Sequence, residues 1–196
     1  MPIYPLLFAG GAVWWEARLE HAVGWRRQWP TWLLTGNLLL LPVFLPILPI
    51  DTYARFHDDF PHPEFGETIG WPEFVETVGE AYKGLDDATR SEVAVLTTNY
   101  GTASALDLWG ESWGLPPAVC GQNSYYYWSH PGSLDPALAV GFRREWLEDD
   151  YDEIVELAVI SNRAGISNEE AGRSVFLVRG ARRESDAMWE AMRFFR

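Results

Sequence analysis

Two polar loops contain the residues that are best suited to hold a ligand. The first is Asn99-Tyr100-Gly101, which follows an apolar run and precedes a helical pattern. Backbone N–H groups at the start of a helix, together with a phenol, can bind a sugar or a phosphate. In the structural alternative, Asn99 caps the helix and Gly101 permits a sharp bend. We take all three as candidate substrate-binding residues and leave the two interpretations open.

The second loop joins amide and hydroxyl side chains to four consecutive aromatic residues, Tyr125 to Trp128. Because successive side chains of a strand point to opposite faces, a strand cannot bury all four rings. Aromatic rings beside amides commonly hold sugars, and Tyr and Trp equally anchor proteins at lipid headgroups. The candidate substrate-binding residues of this loop are Gln122, Asn123, Ser124, Tyr125 and Trp128.

A group of metal-ligand types, His57-Asp58-Asp59 with His62 and Glu64, lies nearer the N-terminus. These side chains suit a divalent cation, but their spacing is not that of the paired helical histidines in zinc proteases. A solvated acidic loop explains the pattern better. The sequence therefore predicts no metal-binding residue and no cofactor, and it leaves a divalent metal open.

Alternating strand and helix patterns must position the two polar loops. Five short apolar runs predict strands, and amphipathic patterns predict helices. This alternation is typical of an α/β fold with a mostly parallel sheet flanked by helices, in which ligands bind beyond the carboxyl ends of the strands. Asn168-Glu169-Glu170 indicates a turn that enters the last strand. The predicted strands span residues 92–98, 118–121, 138–142, 154–160 and 174–178, and the predicted helices span 71–84, 103–110, 144–151 and 185–195.

Residues 1–50 differ in composition and predict about two transmembrane helices. The stretch from Gln28 to Ile50 contains no charged side chain and is long enough, as a helix, to cross a hydrocarbon core of about 30 Å. Pro42, Pro46 and Pro49 predict that this helix kinks or loosens near its outer end. The run from Pro2 to Trp15 is too short to span alone and is typical of a helix cut off at its start. A signal peptide and a buried hairpin of a soluble protein are the alternatives. Residues 51–70 are predicted to connect these helices to an α/β domain at 71–196.

Charge is unevenly distributed along the chain. Residues 1–50 contain Arg18, Arg26 and Arg27 against two glutamates, whereas the remainder is strongly acidic. Under the positive-inside rule the arginine-containing loop faces the cytoplasm, so we expect an integral membrane protein whose soluble domain is extracytoplasmic. The net charge of −13 argues against binding of nucleic acid, because a phosphate backbone requires Lys and Arg. Cys120 is the single cysteine, which excludes an intrachain disulfide.

Three stretches of the α/β region form a recognisable combination. They are Thr98-Asn99-Tyr100-Gly101 with Ala103 and Ala105-Leu106-Asp107; Gly121 with Asn123-Ser124-Tyr125 and Trp128; and Asn168-Glu169-Glu170 with Gly172-Arg173 and Val175. Together they resemble the C-terminal region of glycosyltransferase family 39, which contains protein mannosyltransferases that use dolichyl-phosphate-mannose and bacterial transferases of aminoarabinose to lipid A. With Ile3-Tyr4-Pro5-Leu6, which is similar to a late membrane helix of bacterial members, the resemblance covers nearly the whole chain.

This resemblance implies transfer of a sugar from a polyprenyl-phosphate donor, with inversion at the anomeric carbon. It also implies that the catalytic carboxylates lie in an outer loop near the N-terminus of such proteins. We therefore expect no catalytic residue in this chain and no activity from it alone. Bacterial relatives often carry an acidic residue where Thr102 stands and a histidine where Gln122 stands, so the resemblance gives neither residue a proton-transfer role. The implied partners are membrane lipid, a polyprenyl-phosphate sugar and an N-terminal membrane region.

A different class of function remains beside the glycosyltransferase interpretation. In it, the chain is a membrane-tethered, extracytoplasmic binding or interaction domain without catalytic activity. The residues do not specify the sugar, the acceptor or the oligomeric state in either case.

Overall fold

The structure is a computed structural model that describes residues 3–45, 47–59 and 63–195. Contacts between residues divide the chain into two compact units. The first unit is the described part of residues 1–49. The second unit comprises residues 50–59 and the described part of residues 63–196.

The first unit is helical. Its helices are α1 (Tyr4–Leu19), α2 (Trp25–Leu38) and the single turn α3 (Leu41–Phe44). The indole rings of Trp15 and Trp29 meet edge to face with their centroids 4.4 Å apart, which joins α1 to α2. Each of these two helices therefore has a neighbour within the unit, while most of their apolar side chains stay exposed.

The helical stretch expected from Gln28 to Ile50 is interrupted earlier than the outer end, because α2 ends at Leu38. Proline at position 42 has no N–H to donate to the carbonyl of residue 38, so the helical ladder stops there. A new helical turn then begins at Leu41, with Pro42 in its first positions. None of the helices formed by the described residues is both long enough and apolar enough to span a bilayer.

Residues 51–70, predicted as a connecting loop, contain short helical segments within their described part. These are α4 (Ile50–Ala54) and two 3-10 helices, His57–Asp59 and Pro63–Thr68. Tyr53 of α4 is buried, and the segment belongs to the second unit.

The second unit is an α/β domain built on a five-stranded mixed sheet of strand order β2-β1-β3-β5-β4. The five predicted strands and four predicted helices are all present, and two short helices, α6 and α8, join them. The strands are β1 (Ala94–Thr97), β2 (Ala118–Cys120), β3 (Ala137–Val140), β4 (Tyr151–Val159) and β5 (Ser174–Ala181), and the helices that follow α4 are α5 (Trp71–Lys83), α6 (Asp87–Glu92), α7 (Tyr100–Trp109), α8 (Tyr125–Trp128), α9 (Arg144–Leu147) and α10 (Ser185–Ala191).

The sheet is less parallel than the sequence predicts. β1 pairs in parallel with β2 and β3, whereas β5 pairs antiparallel with both β3 and β4. The connection between β4 and β5, residues 160–173, contains no helix, so it does not make the crossover that a parallel pair requires. As a result, β5 begins at the edge of the sheet where β1, β2 and β3 end.

Alternating side chains of the strands fill a hydrophobic layer on each face of the sheet. Val95 and Leu138 pack with residues of α5 and α7 on one face. Leu96 and Ala139 pack with Met188 and Trp189 of α10 on the other. The period of two along each strand therefore confirms the prediction that helices flank both faces.

β1 leads to β2 on one side, while β3 lies on its other side, which makes the end of β1 a switch point of the topology.

Candidate functional site

A cleft of about 560 Å³ opens at this switch point, beyond the carboxyl ends of β1, β2 and β3. The start of β5, α9 and the C-terminal segment complete its walls. Its lining combines hydroxyls, amides, carboxyls, a guanidinium and aromatic rings. The lining residues are Thr97, Thr98, Asn99, Thr102, Gly121, Gln122, Gly141, Phe142, Trp146, Glu169, Glu170, Arg173, Met192 and Phe194.

Two glycines allow the strand ends to lie this close together. A Cβ on Gly121 would lie 2.2 Å from the backbone oxygen of Met192, so glycine is required where the C-terminal segment crosses β2. Gly141 has a φ of +81°, and a Cβ there would meet the Thr98 hydroxyl at 3.0 Å. Both positions shape the cleft floor by the absence of a side chain.

Asn99 has two tasks at the end of β1. Its Oδ1 accepts a hydrogen bond from the Thr102 N–H at 2.9 Å, which caps α7 as the structural interpretation predicts. Its side chain also faces Glu170, whose pKa it lowers, and Asn99 lines the cleft. The cap therefore holds the Asn99 side chain in place between helix α7 and the Glu170 carboxyl.

Glu170 is the buried acid of the cleft, with 8% of its surface exposed. Burial raises the pKa of its carboxyl, and the negative charges of Glu67 and Glu169 add to the rise, whereas the Asn99 side chain opposes it. Burying a charged group is unfavourable, so this side chain is held in an environment that disfavours its ionised form. Such perturbed carboxyls in clefts are candidate functional groups.

The loop before β5 holds Glu170 in place. The Asn168 amide donates to the Ile69 carbonyl at 2.9 Å and accepts the Ala171 N–H at 2.8 Å. The backbone N–H of Glu169 donates to the Glu67 carboxylate at 2.9 Å. These bonds join the segment around residue 168 to residues 67–69, at the end of the 3-10 helix Pro63–Thr68. The predicted turn into the last strand therefore explains the role of Asn168. It does not explain why Glu170 is buried in the cleft.

Gln122 is the second predicted residue that lines the cleft. Its Oε1 accepts a hydrogen bond from the Tyr100 N–H at 3.1 Å, which links the end of β2 to the first turn of α7. Its neighbour Asn123 has a φ of 52° and donates its N–H to the Phe194 carbonyl at 2.9 Å. The C-terminal segment is therefore joined to the β2 loop through backbone bonds.

The other candidate residues lie outside the cleft lining. Tyr100 and Trp128 are exposed, and Gly101, Ser124 and Tyr125 contribute to the turns and packing of α7 and α8. The Tyr125 hydroxyl donates a short hydrogen bond to Asp107. Burial, followed by this carboxylate, raises the pKa of Tyr125 to about 12. Tyr125 thus connects α8 to α7.

Sequence reasoning missed the aromatic wall and the acidic wall of the cleft. Trp146 is 55% exposed in the segment after β3, and its indole lies 5.3 Å from the Arg143 guanidinium. The rule that selected the loops after β1 and β2 also selects this loop after β3, so the signal was present. Glu169, Glu170 and Arg173 precede β5, and only the antiparallel direction of that strand brings them to this edge.

The histidine and acidic group near the N-terminus does not form a metal centre within the described residues, where no cluster of three or more metal-ligand side chains occurs. His57 lies 3.0 Å from the Asp58 carboxylate. His62 lies outside the described residues.

Comparison of this chain with protein-family models, with curated proteins and with solved structures finds no match.

Proposed function

We propose that this chain is the C-terminal part of an integral-membrane glycosyltransferase of the family-39 type, and that its cleft binds the sugar of a polyprenyl-phosphate donor or the acceptor. The observation that carries this proposal is the buried carboxyl of Glu170, which shares the lining of one cleft with the Asn99 amide and the Trp146 indole. A carboxyl and an amide accept and donate hydrogen bonds to hydroxyl groups, while an indole packs against the apolar face of a sugar ring.

The remaining lining chemistry supports a polar, hydroxylated ligand. Thr97, Thr98 and Gln122 add hydroxyls and an amide along the strand ends. Arg173 supplies a guanidinium, the group that pairs best with a phosphate. Sites of this kind typically have apolar walls and a few fixed polar groups that orient the ligand.

The first unit supports attachment to a membrane. Large apolar side chains of α1 and α2 are exposed, including Leu6 and Phe8 at 75% and Leu34 at 70%. Exposed apolar side chains in this number favour a cover of lipid or of further helices. In the proposal, these helices lie in or against the bilayer, and the acidic α/β domain is extracytoplasmic.

In this proposal, the catalytic residues belong to a membrane region outside this chain. The cleft orients the sugar or the acceptor, while carboxylates of a separate membrane region assist the transfer. The DNA immediately upstream of this chain provides a simple test. An in-frame multi-helix region with paired acidic residues in its first outer loop is expected. A start site with its own ribosome-binding signal and no such frame instead supports a tethered binding domain without catalytic activity.

A transfer assay tests the function itself. Proteoliposomes receive radiolabelled mannose, glucose or arabinose on undecaprenyl phosphate, with this chain alone or together with the upstream membrane region. We expect transfer only from the combination, and at least a tenfold loss of rate with Trp146→Ala in the cleft. Leu108→Ala is the matched control, because Leu108 is 68% exposed and is not part of the cleft lining. Transfer by the isolated chain would overturn the assignment of catalysis to another region.

A further inference from the structure

A second cavity lies within the first unit, between α1 and the start of α2. It has a volume of about 540 Å³ and is independent of the α/β cleft. Three indoles form much of its wall. The lining residues are Trp15, Arg18, Leu19, His21, Ala22, Trp25 and Trp29.

The ionisable groups in the described lining of this cavity are basic. They are Arg18 and His21, and the nearby acids Glu16 and Glu20 are not part of the lining. The Arg18 guanidinium lies 4.3 Å from the centre of the Trp14 ring, so a cation–π contact holds its position. A guanidinium packed on a ring by one face keeps its N–H edge for an anion.

The start of α2 adds a second feature that favours an anion. This 14-residue helix begins after Gly24, and no side chain caps it. Its first turn contains no acidic residue. The N-terminus of a helix carries partial positive charge and N–H groups that point outward, which suits a phosphate. Trp25, the first residue of the helix, also lines the cavity.

We propose that this cavity binds the phosphate headgroup of an anionic phospholipid. A lipid fits better than free phosphate for two reasons. Indole rings concentrate at the boundary between water and hydrocarbon, and three of them line the cavity. The α2 side chains Leu33 and Leu34, which follow along the same helix, are 55% and 70% exposed and offer apolar surface to acyl chains. This inference stands on the first unit alone and does not depend on what the α/β cleft binds.

Titration of the full chain with short-chain lipids tests the inference. The chain is held in uncharged polyoxyethylene detergent micelles, and the indole N–H resonances are followed by NMR. The probes are dihexanoyl phosphatidylglycerol, dihexanoyl phosphatidylcholine and inorganic phosphate. We expect phosphatidylglycerol to bind at least fivefold more tightly than either of the other two, because one basic group near a membrane contributes about a fivefold change in affinity.

Variants that remove equal charge locate the site. Arg18→Gln is expected to weaken binding of phosphatidylglycerol about fivefold. Arg27→Gln is the matched control, since Arg27 belongs to the same unit but does not line the cavity. Circular dichroism establishes that both variants keep the helix content of the natural chain.

Three outcomes would overturn the proposal. Equal weakening by the two arginine variants would indicate diffuse charge attraction, and equal affinity for the two lipids would remove the role of the anion. Inorganic phosphate that binds as tightly as phosphatidylglycerol would remove the role of the lipid. None of these results bears on sugar transfer or on the cleft, so failure here is distinct from failure of the proposed function.

Discussion

The side chain of Asn99 caps helix α7 through its Oδ1 and faces the buried carboxyl of Glu170, whose pKa it lowers. One residue thereby ties the end of β1 to the loop before β5, two segments that lie about seventy residues apart in the chain. Burial disfavours the ionised form of Glu170, whereas the Asn99 side chain favours it. The pKa of Glu170 therefore depends on both its burial and the residue at position 99.

Two substitutions of Asn99 test its role as the cap of α7 and its effect on Glu170. Asn99→Ala removes the cap, which is expected to lower the free energy of unfolding by about 1 kcal/mol. Asn99→Asp keeps a capping oxygen but sets a second carboxylate beside Glu170. The free energy of unfolding of Asn99→Asp should therefore fall relative to that of Asn99→Ala as the pH rises, which urea denaturation between pH 4 and pH 8 measures. A pH-independent difference between the two would show that a charge at position 99 does not interact with Glu170.

Glu170 is expected to make the folded protein less stable as pH rises. Its folded-state pKa is raised above the ordinary value of 4.5, so its stabilising contribution is complete below that value and is lost as pH increases through the raised pKa. Glu170→Gln keeps an uncharged group, and its free energy of unfolding relative to the natural chain should increase over the same pH range. Glu92→Gln serves as the control and should show no such trend, because Glu92 is exposed and does not line the cleft.

Gly121 is predicted to tolerate no side chain. In Gly121→Ala the new Cβ would lie 2.2 Å from the Met192 carbonyl oxygen, so the C-terminal segment would have to move away from β2. We expect a loss of about 1 to 3 kcal/mol in the free energy of unfolding, as found for overpacked cores. Gly132→Ala is the control, because no atom lies within 4 Å of its added Cβ. Equal denaturation midpoints of the two variants would refute the close approach.

Tyr125 is predicted to stabilise the contact between α8 and α7. Tyr125→Phe removes the hydroxyl that donates to Asp107, and a hydrogen bond of this kind contributes about 1 kcal/mol. Asp107 keeps its bond from the Ala118 N–H at 2.7 Å, so the variant should fold. Tyr127→Phe, at a side chain that is 68% exposed, should leave the denaturation midpoint unchanged.

Local patterns predicted most elements of the α/β domain because each has a periodicity of its own. The run at β1 and the amphipathic pattern of α5 are examples, and Phe74 and Val78 of α5 are buried as that pattern requires. Helix α6 was missed although Asp86 caps it by accepting the Thr89 N–H, a signal that the sequence contains. The direction of β5 depends on pairing between distant residues, and no local pattern encodes it.

The candidate site was predicted in part for the same reason. Asn99 and Gln122 follow β1 and β2 directly, so a rule about strand ends found them. Glu170 precedes β5, and in a fully parallel sheet that position would lie at the opposite edge. Its role in the cleft emerges only when Val140 of β3 pairs with Val175 of an antiparallel β5.

The most direct test of the central claim is saturation-transfer NMR on the full chain in polyoxyethylene micelles with methyl mannoside, glucoside, galactoside and arabinoside. At least one glycoside should receive magnetisation, and Trp146→Ala should abolish its signal while the control Leu108→Ala retains it. Transfer to no glycoside, or a signal that survives Trp146→Ala unchanged, would contradict the assignment of this cleft to a sugar.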